Sequence, residues 1–144
     1  WALERLVRDL DAEQWVSLPG RVTDHELVDL YRRAWVVTSA SAAEGWGMTI
    51  TEAAACATPA VVSDINGHRD AVSHGRSGIL AAGDEALAGE LARVLTDDAL
   101  RRRLAAGALA HAQRFTWEAT AMATMRILAE DAHRRHRSDG SISR

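Results

Sequence analysis

The sequence predicts an α/β fold with a parallel sheet that helices cover on both faces, followed by a helical C-terminal third. Short apolar runs typical of strands alternate with amphipathic stripes typical of helices. This alternation indicates parallel strands joined by right-handed crossovers. The strand runs are continuously apolar, as expected when both faces of a sheet are covered. Beyond Asp84 only helical periodicity remains, which predicts the helical final third.

Four apolar runs are predicted to be strands. They lie at residues 15–18, 35–38, 60–63 and 78–80. The first run stops at Pro19-Gly20, a dipeptide typical of turns. Three tryptophans are predicted to anchor the core. Trp15 and Trp35 are the first residues of two of these strands, and Trp117 lies in the last predicted helix.

The helices are predicted between and after these strands. An apolar stripe from Leu3 to Leu10 predicts the first helix, and the capping box of Thr23 and Glu26 predicts the start of the second. The third is expected to end before Pro59, because the residue preceding a proline resists helical dihedrals. Its inward face is predicted to carry Ile50, Ala53, Ala54 and Ala57. The final helix is predicted to bury a stripe of Trp117, Ala121, Met125 and Leu128, before a polar tail at 133–144.

Length, charge and composition exclude several classes of protein. The 144 residues carry 17 basic and 20 acidic side chains, for a formal net charge of −3, which argues against binding nucleic acid. A single cysteine excludes an internal disulfide framework and a Cys-based zinc cage. No apolar run approaches the roughly 20 residues that span a bilayer, so no transmembrane segment is expected. Since no signal-peptide pattern is present, the predicted location is cytoplasmic.

The most informative segment is EGWGMTITE, from Glu44 to Glu52. It is predicted to form a loop and a helix start after the second strand, at the sheet edge where open parallel sheets bind ligands. Gly45 and Gly47 permit close backbone approach. The free amides at the start of the helix, roughly 47–50, favour an anion such as a phosphate or diphosphate.

The two glutamates of this segment have different expected surroundings. Glu44 is predicted to project from the loop toward whatever the amides hold. Glu52 lies about 200° around the helix from Ile50, at roughly 100° per residue, and so avoids the buried face. A carboxylate there can accept two hydroxyl hydrogen bonds, as ribose recognition requires. Spacing alone favours another interpretation, that both glutamates are ordinary solvated side chains with no role in binding, because two glutamates eight residues apart often occur by chance.

The stretch EGWGMTITEAAACATPAVVS, residues 44–63, resembles the signature of the retaining GT-B-fold glycosyltransferases of family 4. The preceding LPGRVTDHELVDLYRRAWVVTSAS and the following NGHRDAVSHGRSGIL resemble the same family in the family's order. The resemblance runs from about residue 16 to residue 115. It implies that residues 1–132 form part of a Rossmann-like C-terminal domain that binds a nucleoside-diphosphate sugar donor.

The resemblance also implies a role for particular residues. Glu52 corresponds to the glutamate that binds the ribose hydroxyls, and Glu44 to the one near the reacting centre of the donor sugar, the candidate catalytic residue. The loop residues implied to hold the distal phosphate and sugar are Gly45, Trp46, Gly47, Met48 and Thr49. The backbone implied to cradle the base is that of Gly20, Arg21 and Val22. Neither a cofactor nor a metal is implied.

Some features depart from the family pattern. Trp46 replaces the usual Phe, Met48 the usual Leu, and Ala57 the usual Gly before Thr-Pro. Family members bind the diphosphate with an Arg and a Lys on earlier loops, whereas this chain has no lysine and begins at Trp1. We therefore expect a fragment whose partner is an N-terminal acceptor domain or upstream chain. Alone, it is predicted to have no transferase activity.

Two other functions remain open at this stage. One is a non-catalytic module for nucleotide binding or assembly, in which an exposed sheet edge favours self-association. The other is a GT-B-fold epimerase of sugar nucleotides, which fits the motif less well. His68 and Arg69 are expected near the ligand edge, where they are candidates for a sugar contact.

Overall fold

The computed structural model describes the backbone of residues 2–139 and the side chains of residues 2–135. From residue 24 to the last strand, helices and strands alternate, and three helices follow that strand within the described residues, so the predicted α/β fold with a helical C-terminal part is confirmed. In chain order the elements are α1 (Ala2–Asp9), α2 (Asp24–Arg33), β1 (Val37–Ser39), α3 (Met48–Ala55), β2 (Ala60–Ser63), α4 (Asn66–Ala71), β3 (Gly78–Ala81), α5 (Asp84–Thr96), α6 (Asp98–Ala112) and α7 (Trp117–Asp139). Within the predicted polar tail, residues 133–139 belong to α7 and residues 140–144 lie outside the described residues.

The three strands of the described chain form one parallel sheet in the order β1-β2-β3. Val37 is paired with Ala60, and Ala60 with Gly78. The helices α3 and α4 form the two crossovers that parallel pairing requires. All three carboxyl ends therefore meet at one edge of the sheet.

Apolar side chains cover both faces of the central strand. Val61 belongs to a cluster completed by α5 and α6, with Leu87, Val94, Leu100 and Leu104 among its members. The neighbouring residues of β2 belong to a second cluster on the other face, made by Ile50, Ala60, Val62, Ala71 and Val72. Successive side chains of a strand point to opposite faces, so the continuous apolar run of β2 reflects a sheet buried on both sides.

The predicted strand at 15–18 is wrong. The amides of Trp15 and Val16 in this run both donate to the Ala12 carbonyl, at 3.1 and 2.8 Å, which is a local turn contact and not strand pairing. The described residues of β1 pair with β2 alone, so the run has no ladder partner. A segment forms a β-strand only when its backbone pairs with a neighbouring strand. The apolar character of the segment does not show whether such a partner exists. The second strand also begins later than predicted, at Val37.

The three tryptophans predicted to anchor the core are exposed. Trp15, Trp35 and Trp117 are 77%, 60% and 86% accessible. The guanidinium of Arg101 covers the Trp35 ring at 4.2 Å from its centroid, a cation–π contact at the surface. The predicted apolar stripe of α7 is also exposed, since no side chain described on this helix is buried. Periodicity shows that a helix has an apolar face, but not what covers that face.

The end of α3 also differs from the prediction. The helix ends at Ala55, and Ala57 is exposed instead of facing inward. Its φ of 61° lies in the left-handed region, which costs an L-residue about 1–2 kcal/mol and costs glycine little. This conformation explains why glycine is the residue expected at this position, where the chain has alanine.

Replacing Ala57 by glycine is expected to raise the free energy of unfolding by about 1 kcal/mol, because it relieves the left-handed strain. Urea denaturation measures the change. The matched control is Ala55→Gly, an exposed position within the same helix, which is expected to lower stability by about 0.5–1 kcal/mol. Equal destabilisation by both substitutions would contradict the prediction.

Candidate functional site

The loops that follow β1 and β2 are tied together at the carboxyl edge of the sheet. The hydroxyls of Ser39 and Ser41 lie 3.0 Å apart, and the Ser63 hydroxyl donates to the Ser41 carbonyl at 2.7 Å. The loop at 40–47 is thereby fixed to the end of β2 before it enters α3. The segment EGWGMTITE therefore begins from an anchored position.

The first turn of α4 supports this loop from beneath. A Cβ on Gly67 would lie 2.3 Å from the carbonyl oxygen of Glu44, so only glycine allows this approach. His68 is fully buried, and its Nδ1–H donates to the Ser63 carbonyl at 2.8 Å. The same ring lies against Gly47, with its Cδ2 3.4 Å from the place of a Cβ there. His68 thus packs beneath the loop, and its buried ring presents no exposed surface for the sugar contact considered from the sequence.

The start of α3 leaves backbone donors free. Gly47 is the N-cap with a φ of 84°, and no side chain caps the helix. The amides of Ile50 and Thr51 donate to the Gly47 carbonyl, whereas those of Met48 and Thr49 have no acceptor in the described part of the chain. These donors and the helix dipole favour an anion at this end of α3.

The two glutamates of the motif lie on either side of this helix start along the chain, and both are exposed. Glu44 accepts a hydrogen bond from the Gly45 amide at 3.1 Å through Oε1. Glu52 accepts one from the Tyr31 hydroxyl at 3.0 Å through Oε2. Each carboxylate keeps acceptor capacity that faces solvent.

Tyr31, on α2, was not identified as a site residue from the sequence. Its side chain is 9% exposed. Burial, followed by the hydrogen bond and negative charge of Glu52, raises the pKa of Tyr31 to about 12, and the side chain of Thr49 acts in the opposite direction. The neutral phenol is therefore the form that the folded protein favours.

We expect the free energy of unfolding to fall as the pH rises from about 10 to about 12. The unfolded chain ionises its tyrosine near pH 10, whereas the folded chain holds that proton until about 12. The chain has one tyrosine and no lysine, so an ultraviolet titration of the phenol reports this group alone. A phenolate that appears near pH 10 in the folded protein would contradict the prediction.

The residues predicted near the base lie in the irregular segment before α2. Gly20 has a φ of 67°, and both Gly20 and Arg21 are exposed. Val22 is half-buried and, of the three, alone lines a recess of about 460 Å³. The other residues around this recess are Pro19, Glu26, Asp29, Leu30, Arg32 and Arg33.

An aromatic cluster ties the loop to the junction of α6 and α7. The ring of Trp46 meets Phe115 edge-to-face at 5.2 Å, and Phe115 meets His111 in the same manner at 5.0 Å. Burial, with a smaller contribution from the charge of Arg114, lowers the pKa of His111. Trp46 and Phe115 also line a groove of about 640 Å³. The sequence identified Trp46 as a loop residue and gave no signal for its contact with Phe115.

Arg69, the second candidate for a sugar contact, lies at the surface. Its guanidinium donates to both carboxylate oxygens of Asp64, at 2.6 and 3.1 Å, and lowers the pKa of that carboxyl. Asp64, Arg69 and Glu44 line one recess of about 360 Å³. Arg69 therefore lies in the same recess as Glu44, the candidate catalytic residue, and its guanidinium is already paired with Asp64.

Among the described side chains, no three His, Cys, Asp or Glu residues lie close enough together to hold a metal ion. None of the helices between residues 2 and 139 combines the length and apolar character needed to cross a bilayer.

A parallel sheet with an uncapped helix start at its carboxyl edge, flanked along the chain by two exposed glutamates, is typical of the open α/β domains that bind ligands at this edge. A family model described as glycosyl transferases group 1 matches residues 2–111. The chain belongs to this family.

Curated relatives carry one recurring name. The chain is 40% identical over 127 residues to a D-inositol 3-phosphate glycosyltransferase of Frankia alni, covering 87% of this chain and 31% of that protein. It is 38% identical over 130 residues to the protein of that name from Streptomyces bingchenggensis, covering 89% of this chain and 29% of that protein. The chain thus spans about a third of the length of these relatives.

Solved structures share the fold. Sucrose-phosphate synthase from Thermosynechococcus elongatus superposes with a TM-score of 0.79 at 30% identity, over 89% of this chain and 33% of that one. HepE of Anabaena, in complex with UDP, superposes with a TM-score of 0.77 at 26% identity, over 90% of this chain and 36% of that one. The α/β architecture predicted from the sequence matches that of these proteins.

Proposed function

We propose that residues 1–132 of this chain form part of the donor-binding C-terminal domain of a retaining GT-B-fold glycosyltransferase. Its donor is a nucleoside-diphosphate sugar, and the transferred group is a hexose. The observation that carries this proposal is the uncapped start of α3, where the Met48 and Thr49 amides have no acceptor among the described residues. Such a site suits a diphosphate, because both the free amides and the helix dipole attract negative charge.

In this proposal the site residues have distinct roles. The backbone from Gly45 to Thr49 holds the distal phosphate and the sugar, and the exposed Oε1 of Glu52 accepts ribose hydroxyls. Glu44 contacts the donor sugar near the reacting carbon. During transfer the leaving diphosphate gains negative charge, which the preorganised amides stabilise. The UDP complex of HepE supports a uridine diphosphate as the first nucleotide to test.

The backbone of Gly20, Arg21 and Val22 would cradle the base. The relatives' name supports an inositol phosphate as the first acceptor to test. Since the chain spans about a third of those proteins, we propose that an N-terminal domain supplies the acceptor site and that this chain alone transfers no sugar. The expected location of the whole enzyme is the cytoplasm.

Calorimetric titration with UDP tests the donor site. We expect saturable binding that Glu52→Gln weakens by about 10- to 100-fold, because a hydrogen bond to a charged acceptor contributes about 1.5–3 kcal/mol. The matched control is Glu85→Gln, an exposed acid in the first turn of α5, which is expected to bind UDP as the unmodified chain does. Unchanged affinity of Glu52→Gln would contradict the role given to Glu52.

A further inference from the structure

Tyr31 is held rigidly beneath Glu52. Its ring is buried where α2 and α3 pack together, and its hydroxyl donates to Oε2 of Glu52 at 3.0 Å. The carbonyl of Tyr31 accepts a hydrogen bond from the Thr58 hydroxyl at 2.6 Å, and Thr58 is itself buried. Both the backbone and the hydroxyl of this residue are therefore fixed.

This contact restricts an otherwise free side chain. An exposed glutamate on a helix samples several rotamers, and ordering it costs conformational entropy. A hydrogen bond from an immobile phenol selects the rotamers that keep Oε2 over Tyr31. Because the phenol remains neutral, it orders the carboxylate and leaves its negative charge in place. An arginine partner would order the carboxylate but would also neutralise that charge. Oε1 and a lone pair of Oε2 remain available on the solvent side.

We propose that Tyr31 is a positioning residue for ribose recognition, and that its hydroxyl fixes Glu52 so that the site distinguishes ribonucleotides from 2′-deoxyribonucleotides. This inference rests on the proposed function, since it assumes that Glu52 receives the ribose hydroxyls. A carboxylate fixed in advance loses little entropy when the diol binds. A mobile carboxylate would lose more entropy on accepting the hydroxyls. Its contribution to the binding free energy, and so the preference for ribonucleotides, would be smaller.

The test compares the dissociation constants of UDP and 2′-deoxy-UDP for four proteins: the unmodified chain, Tyr31→Phe, Glu52→Gln and the double variant. The unmodified chain is expected to prefer UDP by about tenfold or more. Tyr31→Phe keeps the ring in the core and removes only the hydroxyl, and is expected to reduce this preference by about threefold or more. In the Glu52→Gln background the same substitution is expected to leave the ratio unchanged.

A purely structural role of Tyr31 gives a different result. It would alter the melting temperature while leaving the ratio of the two dissociation constants at its original value, and that outcome overturns the inference. Thr96→Val, which removes a hydroxyl on α5, is the control for a lost hydrogen bond elsewhere and is expected to preserve the ratio.

Failure of the proposed function gives other results. If the unmodified chain binds UDP and 2′-deoxy-UDP equally, Glu52 does not read the ribose. If it binds neither, the donor site itself is wrong. Either result overturns the inference together with its premise, whereas a clear preference for UDP that survives Tyr31→Phe overturns the inference alone.

Discussion

Replacing Gly107 by alanine is expected to lower the free energy of unfolding by about 3 kcal/mol. Gly107 lies on α6, and a Cβ there would be 1.9 Å from the carbonyl oxygen of Arg76 and 2.8 Å from its carbonyl carbon. Both atoms belong to the backbone, so no rotation of a side chain relieves the overlap. The loop before β3 must instead move away from α6, which disturbs the packing around the buried Leu104.

Urea denaturation measures this effect against a matched control. Gly89→Ala places the same methyl group on a helical glycine of α5, where nothing lies within 4 Å of the new atom. That substitution is expected to stabilise the protein by up to about 1 kcal/mol, because alanine favours the helix. If Gly107→Ala unfolds at the same urea concentration as the unmodified chain, α6 does not pack against Arg76 as described.

The second large effect is expected at Gly67, where alanine should weaken UDP binding by about 100-fold. A Cβ on Gly67 would lie 2.3 Å from the Glu44 carbonyl oxygen and 3.0 Å from the Gly45 carbonyl carbon. The loop must shift to accommodate it, and with it the backbone that leads to the free amides of α3. A displacement of about 1 Å at such a site can cost a factor of about 100.

The controls separate this displacement from general loss of stability. Gly107→Ala places its methyl group against the Arg76 backbone and not against the loop at 40–47, so under conditions where it remains folded it is expected to weaken UDP binding far less than Gly67→Ala does. Gly89→Ala serves as the neutral reference. Near-normal affinity of Gly67→Ala would show that the position of the Glu44 backbone does not govern the donor site.

Features set by neighbouring residues were predicted from the sequence. The capping box is present as expected, with the Thr23 amide donating to Glu26 at 2.8 Å and the Glu26 amide donating to the Thr23 hydroxyl at 3.3 Å. The strand at 60–63 has the predicted bounds, because a continuous apolar run needs no knowledge of its partners to be read as a buried strand. Local chemistry is sufficient in both cases.

Features set by distant partners were not predicted. The run at 15–18 is apolar like a strand but has no neighbouring strand to pair with among the described residues. Trp117 is large and apolar like a core residue, but no other element of the described chain packs over it. Within the candidate site, the motif from Glu44 to Glu52 was found because it is contiguous. Tyr31 was not identified, because it lies 21 residues along the chain from its partner Glu52.

The uncapped start of α3 has a thermodynamic consequence for the whole domain. Helix starts are ordinarily completed by a side chain, and this one lacks such a group at Gly47. A ligand whose oxygen atoms accept from the Met48 and Thr49 amides would therefore complete the first turn of the helix. Ligands that bind only the native state shift the folding equilibrium toward it. Under the proposed function, a rising concentration of donor nucleotide therefore raises the free energy of unfolding of this domain.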